Sequence, residues 1–253
     1  MDGRKNRQVK LTAWAAFALL GAALALTPPG AQAARKGGHL KVTVSKVKRG
    51  GPIPTEYSFC VPAEKGHVTL GPNKNPEISW SKGPKGTRSY AIIMYDPDVP
   101  TVATNVNKEG KTIPAGMRRT TFYHWILVNI PANVTSIAEG SDSNGVTPKG
   151  KTPGASADGL RGVNDYTNWF ASDPNMKGEY GGYDGPCPPW NDQRVHHYHF
   201  AVYALDVADL DLSGNFDGKA AKKAMKGHIL AKGQTVGTYA LNPRQRKRLH
   251  MDQ

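Results

Sequence analysis

Tyr123-His-Trp-Ile-Leu-Val-Asn-Ile130 is the stretch that decides the fold. It is short, rich in branched and aromatic side chains, and apolar almost throughout, with one histidine inside it. A run of that kind reads as a strand covered on both faces rather than as a half-exposed one. Ser89-Tyr-Ala-Ile-Ile-Met-Tyr95 has the same character, and Pro97 and Pro131 are expected to end the two strands. His197 to Leu205 (HYHFAVYAL) is a further strong strand. Leu40, Val42 and Val44 alternate with polar residues as a half-buried strand, and Gln234 to Leu241 suits a last one. Only one helix is predicted. Asp217 can cap it, and Ala221, Ala224, Met225, His228 and Ile229 fall on one apolar stripe.

Residues 140–189 differ from the rest, being dominated by Gly, Asn, Asp, Ser and Pro. Tyr166, Trp169, Phe170, Tyr180 and Tyr183 could anchor this segment, which favours an ordered, packed loop. No internal repeat or low-complexity tract is present.

The first 33 residues read as a secretory leader: Arg4, Lys5, Arg7 and Lys10, then the apolar run Leu11 to Leu26, then Ala31-Gln32-Ala33. Sixteen apolar residues fall short of the ~20 that span a bilayer, and no later segment matches them. The expectation is cleavage after Ala33, export to a periplasmic or secreted location, and no membrane span in what remains. One domain over 34–243 and a basic tail at 244–253 complete the predicted organisation. Removing the leader lowers the net charge from +13 to +10, because it holds four Lys/Arg and one Asp. A basic balance favours anionic partners. Export and the lack of any helix-turn-helix, zinc-finger or aromatic RNA-binding pattern argue against nucleic acid. The plainer reading is that surface lysines serve solubility and that the tail is disordered. Cys60 and Cys187 are the two cysteines of the chain, and an oxidising compartment would permit them to pair. Their spacing matches no metal motif and leaves the pairing open.

Four segments carry chemistry. Asp96-Pro-Asp-Val-Pro100 follows a buried strand. Its two carboxylates could point into a cleft or orient a histidine, although the same residues suit an ordinary Asx/Pro turn. His124 lies inside an apolar strand, where each ring nitrogen needs a partner; a carboxylate of the first segment could supply one, and a structural core histidine is the alternative. Asp96 in that role would raise the His124 pKa and favour the cation. Gly182-Tyr-Asp-Gly-Pro-Cys-Pro-Pro189 is stiff, so the free amides of Gly185 and Cys187 could aim at an anion; the alternative is a rigid surface turn. In His196-His-Tyr-His199, strand alternation puts His196 and Tyr198 on one face and His197 and His199 on the other. Only one of those pairs can join a single site.

The four segments, D-P-D-x-P at a strand end, H-W before L-V-N, G-x-x-P-P, and H-x-Y opening a strand, occur in that order. Between His39 and Leu241 the chain resembles the phosphatidylethanolamine-binding protein family, also called Raf-kinase-inhibitor-like, and its bacterial branch in particular. The resemblance implies a mainly β fold of two antiparallel sheets with few peripheral helices, one near the C-terminus. It also implies a shallow pocket for phosphate-type anions. Carried over by motif, the pocket residues are Asp96, His124, Cys187, Pro188, Pro189, His196 and Tyr198, with Asp98 in support and Gly185 in the same loop. Two positions depart from the family pattern. Cys187 stands where a small residue is common, and His197 where Arg is usual, which would remove a fixed positive charge beside the site.

The leading expectation is therefore non-catalytic binding of a phosphate-type anion or phospholipid headgroup, with no cofactor. A regulatory or inhibitor protein acting on a protease or signalling enzyme is the runner-up, with the 140–189 segment as its contact surface. A metal-dependent hydrolase using Asp96, Asp98, His124 and His196 comes third. The chain lacks the helical H-x-x-x-H spacing and the G-x-S-x-G elbow such enzymes use. Asn133-Val-Thr135 is a glycosylation sequon.

Overall fold

The computed structural model describes residues 37–251, so the leader expected over 1–33 lies outside the described residues. The strands are β1 (Gly38–His39), β2 (Val42–Val44), β3 (Cys60–Pro62), β4 (Val68–Leu70), β5 (Ile78–Trp80), β6 (Ser89–Pro100), β7 (Arg119–Pro131), β8 (Ser136–Ile137), β9 (Gly154–Ala155), β10 (Leu160–Arg161), β11 (His196–Leu205) and β12 (Ile229–Tyr239). The seven-stranded sheet runs β1-β12-β11-β6-β7-β10-β9 and is antiparallel except for the β1/β12 pair. A three-stranded sheet, β2-β5-β8, and the β3-β4 pair complete the mainly β architecture.

The apolar runs of β6, β7 and β11 are continuous because both faces of the large sheet are covered. Tyr90, Ile92, Met94, Trp125, Leu127, Tyr198, Phe200 and Val202 face the main core, which they share with Val44, Ile78, Trp80 and Ile137 of the smaller sheet. The intervening Ala91, Ile93, Ile126, Val128 and Leu205 form a second cluster with Leu210, Phe216, Ala221 and Met225. Period-two alternation thus persists, but it sorts apolar residues between two cores instead of between core and water.

Some expected boundaries move. β6 continues through Pro97 to Pro100. It can do so because its register with β7 shifts between Asp96 and Val99, and the Asp98 amide donates to Asp96 Oδ1 (2.7 Å) rather than to a neighbouring strand. Prolines, lacking an N–H, fit such a bulge. The predicted helix is shorter than its apolar stripe. α2 (Gly218–Ala224) starts at Asp217, whose side chain accepts from the Ala220 amide as expected. It closes before Gly227, which takes a left-handed conformation at φ +92°, and Ile229 already opens β12.

Two further helices form. α1 (Tyr166–Trp169) lies inside the long loop, where Tyr166, Tyr180 and Tyr183 are buried and Trp169 stays 45% exposed. α3 (Pro243–Arg248) occupies the segment read as a basic tail. Asn242 caps it, accepting from the Arg244 amide, and Pro243 opens the first turn. Gln245 and Arg246 are buried, and Gln245 Nε2 donates to the Gln193 carbonyl (2.7 Å). That stretch is a docked helix and not a disordered tail. Among the described residues no helix is long and apolar enough to cross a membrane.

Candidate functional site

The bulge in β6, the start of β11, the middle of β7 and the loop before β11 meet at one end of the large sheet. Asp96, His124, Cys187, Pro188, Pro189, His196 and Tyr198 all line one pocket there. Val99, Pro100, Phe122, Tyr166 and Trp169 supply its apolar walls, around some 520 Å³ of empty space including the mouth. Asp98 and Gly185 stand behind this surface.

His196 is the most tightly held member. It is fully buried; Nδ1 meets Asp96 Oδ2 at 2.6 Å and Nε2 meets Asp192 Oδ2 at 3.2 Å. Both ring nitrogens therefore donate to carboxylates. Burial alone would push the imidazole down, but the charge of Asp96 and the bonds to Asp192 and Asp96 outweigh it and raise the pKa to about 9. Asp192 is held in turn by Arg119, whose Nη1 and Nη2 reach its two oxygens at 2.5 and 3.0 Å.

His124 behaves in the opposite way. Its backbone and that of Asp184 lock together: the Asp184 amide donates to the His124 carbonyl (3.0 Å), and His124 Nδ1 donates to the Asp184 carbonyl (2.9 Å). A carbonyl only accepts, so Nδ1 carries the proton and Nε2 of the neutral ring is a bare lone pair. Phe122, Tyr166 and Tyr198 wall the ring at centroid distances of 4.9, 5.6 and 5.2 Å. Burial dominates and lowers its pKa to about 4, despite the opposing charge of Asp96. The sequence expectation that Asp96 would make His124 cationic is thus corrected: Asp96 spends its charge on His196.

The Asp184 carboxylate is buried behind His124, where Asn73 Nδ2, Asn164 Nδ2 and Lys151 Nζ each reach it at 2.8 Å. Gly185 is corrected as well. Its amide donates to Asn73 Oδ1 (2.8 Å) and is not free for a ligand. The Cys187 amide has no protein acceptor among the described residues. Its side chain is bonded to Cys60, with the Cα atoms 4.8 Å apart, so the disulfide ties the pocket rim to β3.

Asp98 supports rather than lines the pocket. It accepts from the His197 amide (3.0 Å), His197 Nδ1 (2.8 Å) and Arg194 Nη1 (3.0 Å). Burial opposes its charge, but those partners lower it to about 2. The Asp98 bond raises His197 in return. A fixed positive charge therefore remains beside the site on Arg194, where the H-x-Y comparison alone implied a loss.

Tyr198 completes the polar wall. Its hydroxyl is sealed from bulk water and has the Asp96 carboxylate as its hydrogen-bonding neighbour. Burial and that neighbouring charge raise its pKa well above the usual range, so it keeps its proton. Sequence reasoning missed Asp192, Arg119, Arg194 and Asp184. Asp192 lies four residues before His196 and could have been suspected; the others have no local signature.

Residues 43–240 match the profile described as phosphatidylethanolamine-binding protein, and the chain belongs to that family. It is 28% identical over 201 residues to the UPF0098 protein YbcL of Escherichia coli, covering 79% of this chain and 87% of YbcL. A UPF0098 protein of Pyrococcus horikoshii is 34% identical over 179 residues, covering 71% of this chain and 70% of its own length. The crystal structure of Escherichia coli YbcL, described as a member of the mammalian PEBP family, superposes with a TM-score of 0.56 at 26% identity, over 80% of this chain and 99% of that one. A homologue from Chlamydia trachomatis gives 0.54 at 27% identity, over 80% and 98%.

Proposed function

We propose that the protein binds a small phosphate-type anion or a phospholipid headgroup in this pocket, without catalysis, after export. The observation that carries the reading is the convergence of Asp96, His124, His196 and Tyr198, from separate segments, with the apolar Phe122 and Trp169 around one pocket. The pocket has Asp96, His124 and His196 in place, but His196 is already saturated by carboxylates and serves to position Asp96. Apolar walls from Phe122, Val99 and Trp169 suit an organic substituent on the anion. Among the described residues no Ser, Thr or Lys lines the pocket, and Cys187 is bonded to Cys60.

Calorimetry with phosphorylethanolamine and with inorganic phosphate tests the reading. Tyr198→Phe removes one hydrogen bond to a charged group, worth ~1.5–3 kcal/mol, so affinity should fall about tenfold to a hundredfold. Unchanged affinity in both Tyr198→Phe and His124→Ala would remove the pocket assignment.

A further inference from the structure

The face of the large sheet opposite the pocket carries a groove of its own, some 1340 Å³ of empty space including its mouth. The two-residue repeat of β11 and β12 builds its floor. Tyr198, Phe200 and Val202 turn into the main core, so His199, Ala201 and Tyr203 turn the other way. On β12 the outward residues are Lys232, Gln234 and Val236. Register sets them in three rows: Tyr203 beside Lys232, Ala201 beside Gln234, and Tyr95 and His199 beside Val236. Each row has a cation at hand. Lys232 belongs to the first. Lys41 continues the parallel pairing of His39 with Lys232, and so flanks Gln234 in the second. The Gly50 amide donates to the Val236 carbonyl (2.7 Å), which brings Arg49 to the third. Lys41, Arg49 and Lys232 are exposed. Among the described residues no Asp or Glu lines the groove, and none pairs with these three cations.

We propose that this groove docks an acidic, extended peptide segment of a partner protein, whose carboxylates meet Lys232, Lys41 and Arg49 in turn. Successive rows of a sheet lie about 6.6–6.8 Å apart along the strands, the interval that also separates side chains i and i+2 of an extended peptide. A segment with an acid at every second position therefore meets one cation per row. Gln234 Oε1 faces His199 Nδ1 (3.3 Å), which leaves the Gln234 amide nitrogen to donate to a peptide carbonyl. The Tyr203 hydroxyl, pushed up to about 12 by burial, stays a donor. The segment cannot add as a further strand, because β12 is already paired with β11 on one side and β1 on the other. Recognition then rests on side chains, and the spacing of charge decides it. Flat-ringed polyanions fit less well. Tyr95 is stacked on His199 at 4.8 Å and carries Lys222 Nζ over its ring at 4.4 Å, so its faces are taken and not open to a base or a sugar. The groove shares no residue with the anion pocket, and the two assignments stand or fall separately.

The test is fluorescence anisotropy of the full chain with two labelled peptides of one composition. In the first, Glu alternates with Thr over twelve residues; in the second, the same Glu and Thr stand in two blocks. The alternating peptide should bind about fivefold or more tightly than the block peptide, and lose affinity as salt shortens the reach of exposed charges. Lys41→Gln/Arg49→Gln/Lys232→Gln removes three exposed ion pairs and should weaken it by about tenfold or more, with an unchanged melting temperature. Lys82→Gln/Lys85→Gln/Arg88→Gln removes the same charge from an exposed loop elsewhere and should change affinity by less than about twofold. Equal binding of the two peptides overturns the proposal, as does an equal loss in the two triple variants, or no peptide binding at low salt. Oligothymidylate or a polyuronate that binds more tightly than the alternating peptide, and is lost in the groove variant, overturns it too: the groove then serves another class of polyanion.

Discussion

Breaking the Cys60–Cys187 bond should cost several kcal/mol, because of the length of chain it encloses. The two cysteines are 127 residues apart. Restricting a loop of that length in the unfolded chain is worth about 5 kcal/mol in the chain-entropy picture, and native disulfides of small secreted domains deliver ~2–5. A folded domain typically has ~5–15 kcal/mol in total, so the loss is a large share of it without being an automatic unfolding. Cys60 is 6% exposed, so Cys60→Ala/Cys187→Ala is the gentler replacement at the buried end. With a urea slope of ~2–3 kcal/mol per molar, a loss of ~4 kcal/mol lowers the midpoint by about 1.3–2 M. Urea titration followed by tryptophan fluorescence reads it directly, and the reduced parent should melt with the double variant. A loss below about 1 kcal/mol would refute the reasoning: it would mean that the unfolded chain is already constrained, or that the bond holds the rim under strain.

The two buried histidines should titrate on opposite sides of neutrality. By NMR, His196 should stay protonated until about pH 9 and His124 neutral until about pH 4. The raised His196 contributes stability that is complete below ~6.5 and lost as pH climbs through 9, on the order of 3 kcal/mol. The depressed His124 contributes stability that is complete above ~6.5 and lost as pH falls towards 4. Two ordinary titrations near 6.5 would contradict both assignments. Separately, Gly185→Ala would drive a Cβ onto the Tyr57 carbonyl oxygen, with the Tyr183 hydroxyl on the other side, so it should lower the melting temperature by several degrees. A variant as stable as the parent would mean that the 182–189 loop is softer than its prolines suggest.

The strands were legible because Ser89–Tyr95, Tyr123–Ile130 and His197–Leu205 each combine branched and aromatic residues with lengths that suit strands. The alternation of His196 and Tyr198 inward with His197 and His199 outward was legible too, since it depends only on the two-residue repeat. What failed was what propensity cannot weigh. Pro97 looked like a stop, yet a bulge absorbed it. Arg244 to Arg248 looked like a solvated charge run, yet Asn242 and Pro243 start a helix whose Gln245 finds a carbonyl. The pairing of Asp96 with His196 rather than His124 depends on which side chain reaches first across strands about 100 residues apart. Nothing local in the sequence encodes that distance. Arg119, which completes the network by holding Asp192, was invisible for the same reason, whereas Asp192 itself stands only four residues before His196.

Co-crystallisation with phosphorylethanolamine tests the central claim most directly. The account predicts a phosphoryl group seated between Asp96, His124 and His196, one oxygen accepting from Tyr198 Oη and another within hydrogen-bonding distance of His124 Nε2. A ligand bound elsewhere at saturating concentration, with this pocket empty, would contradict it.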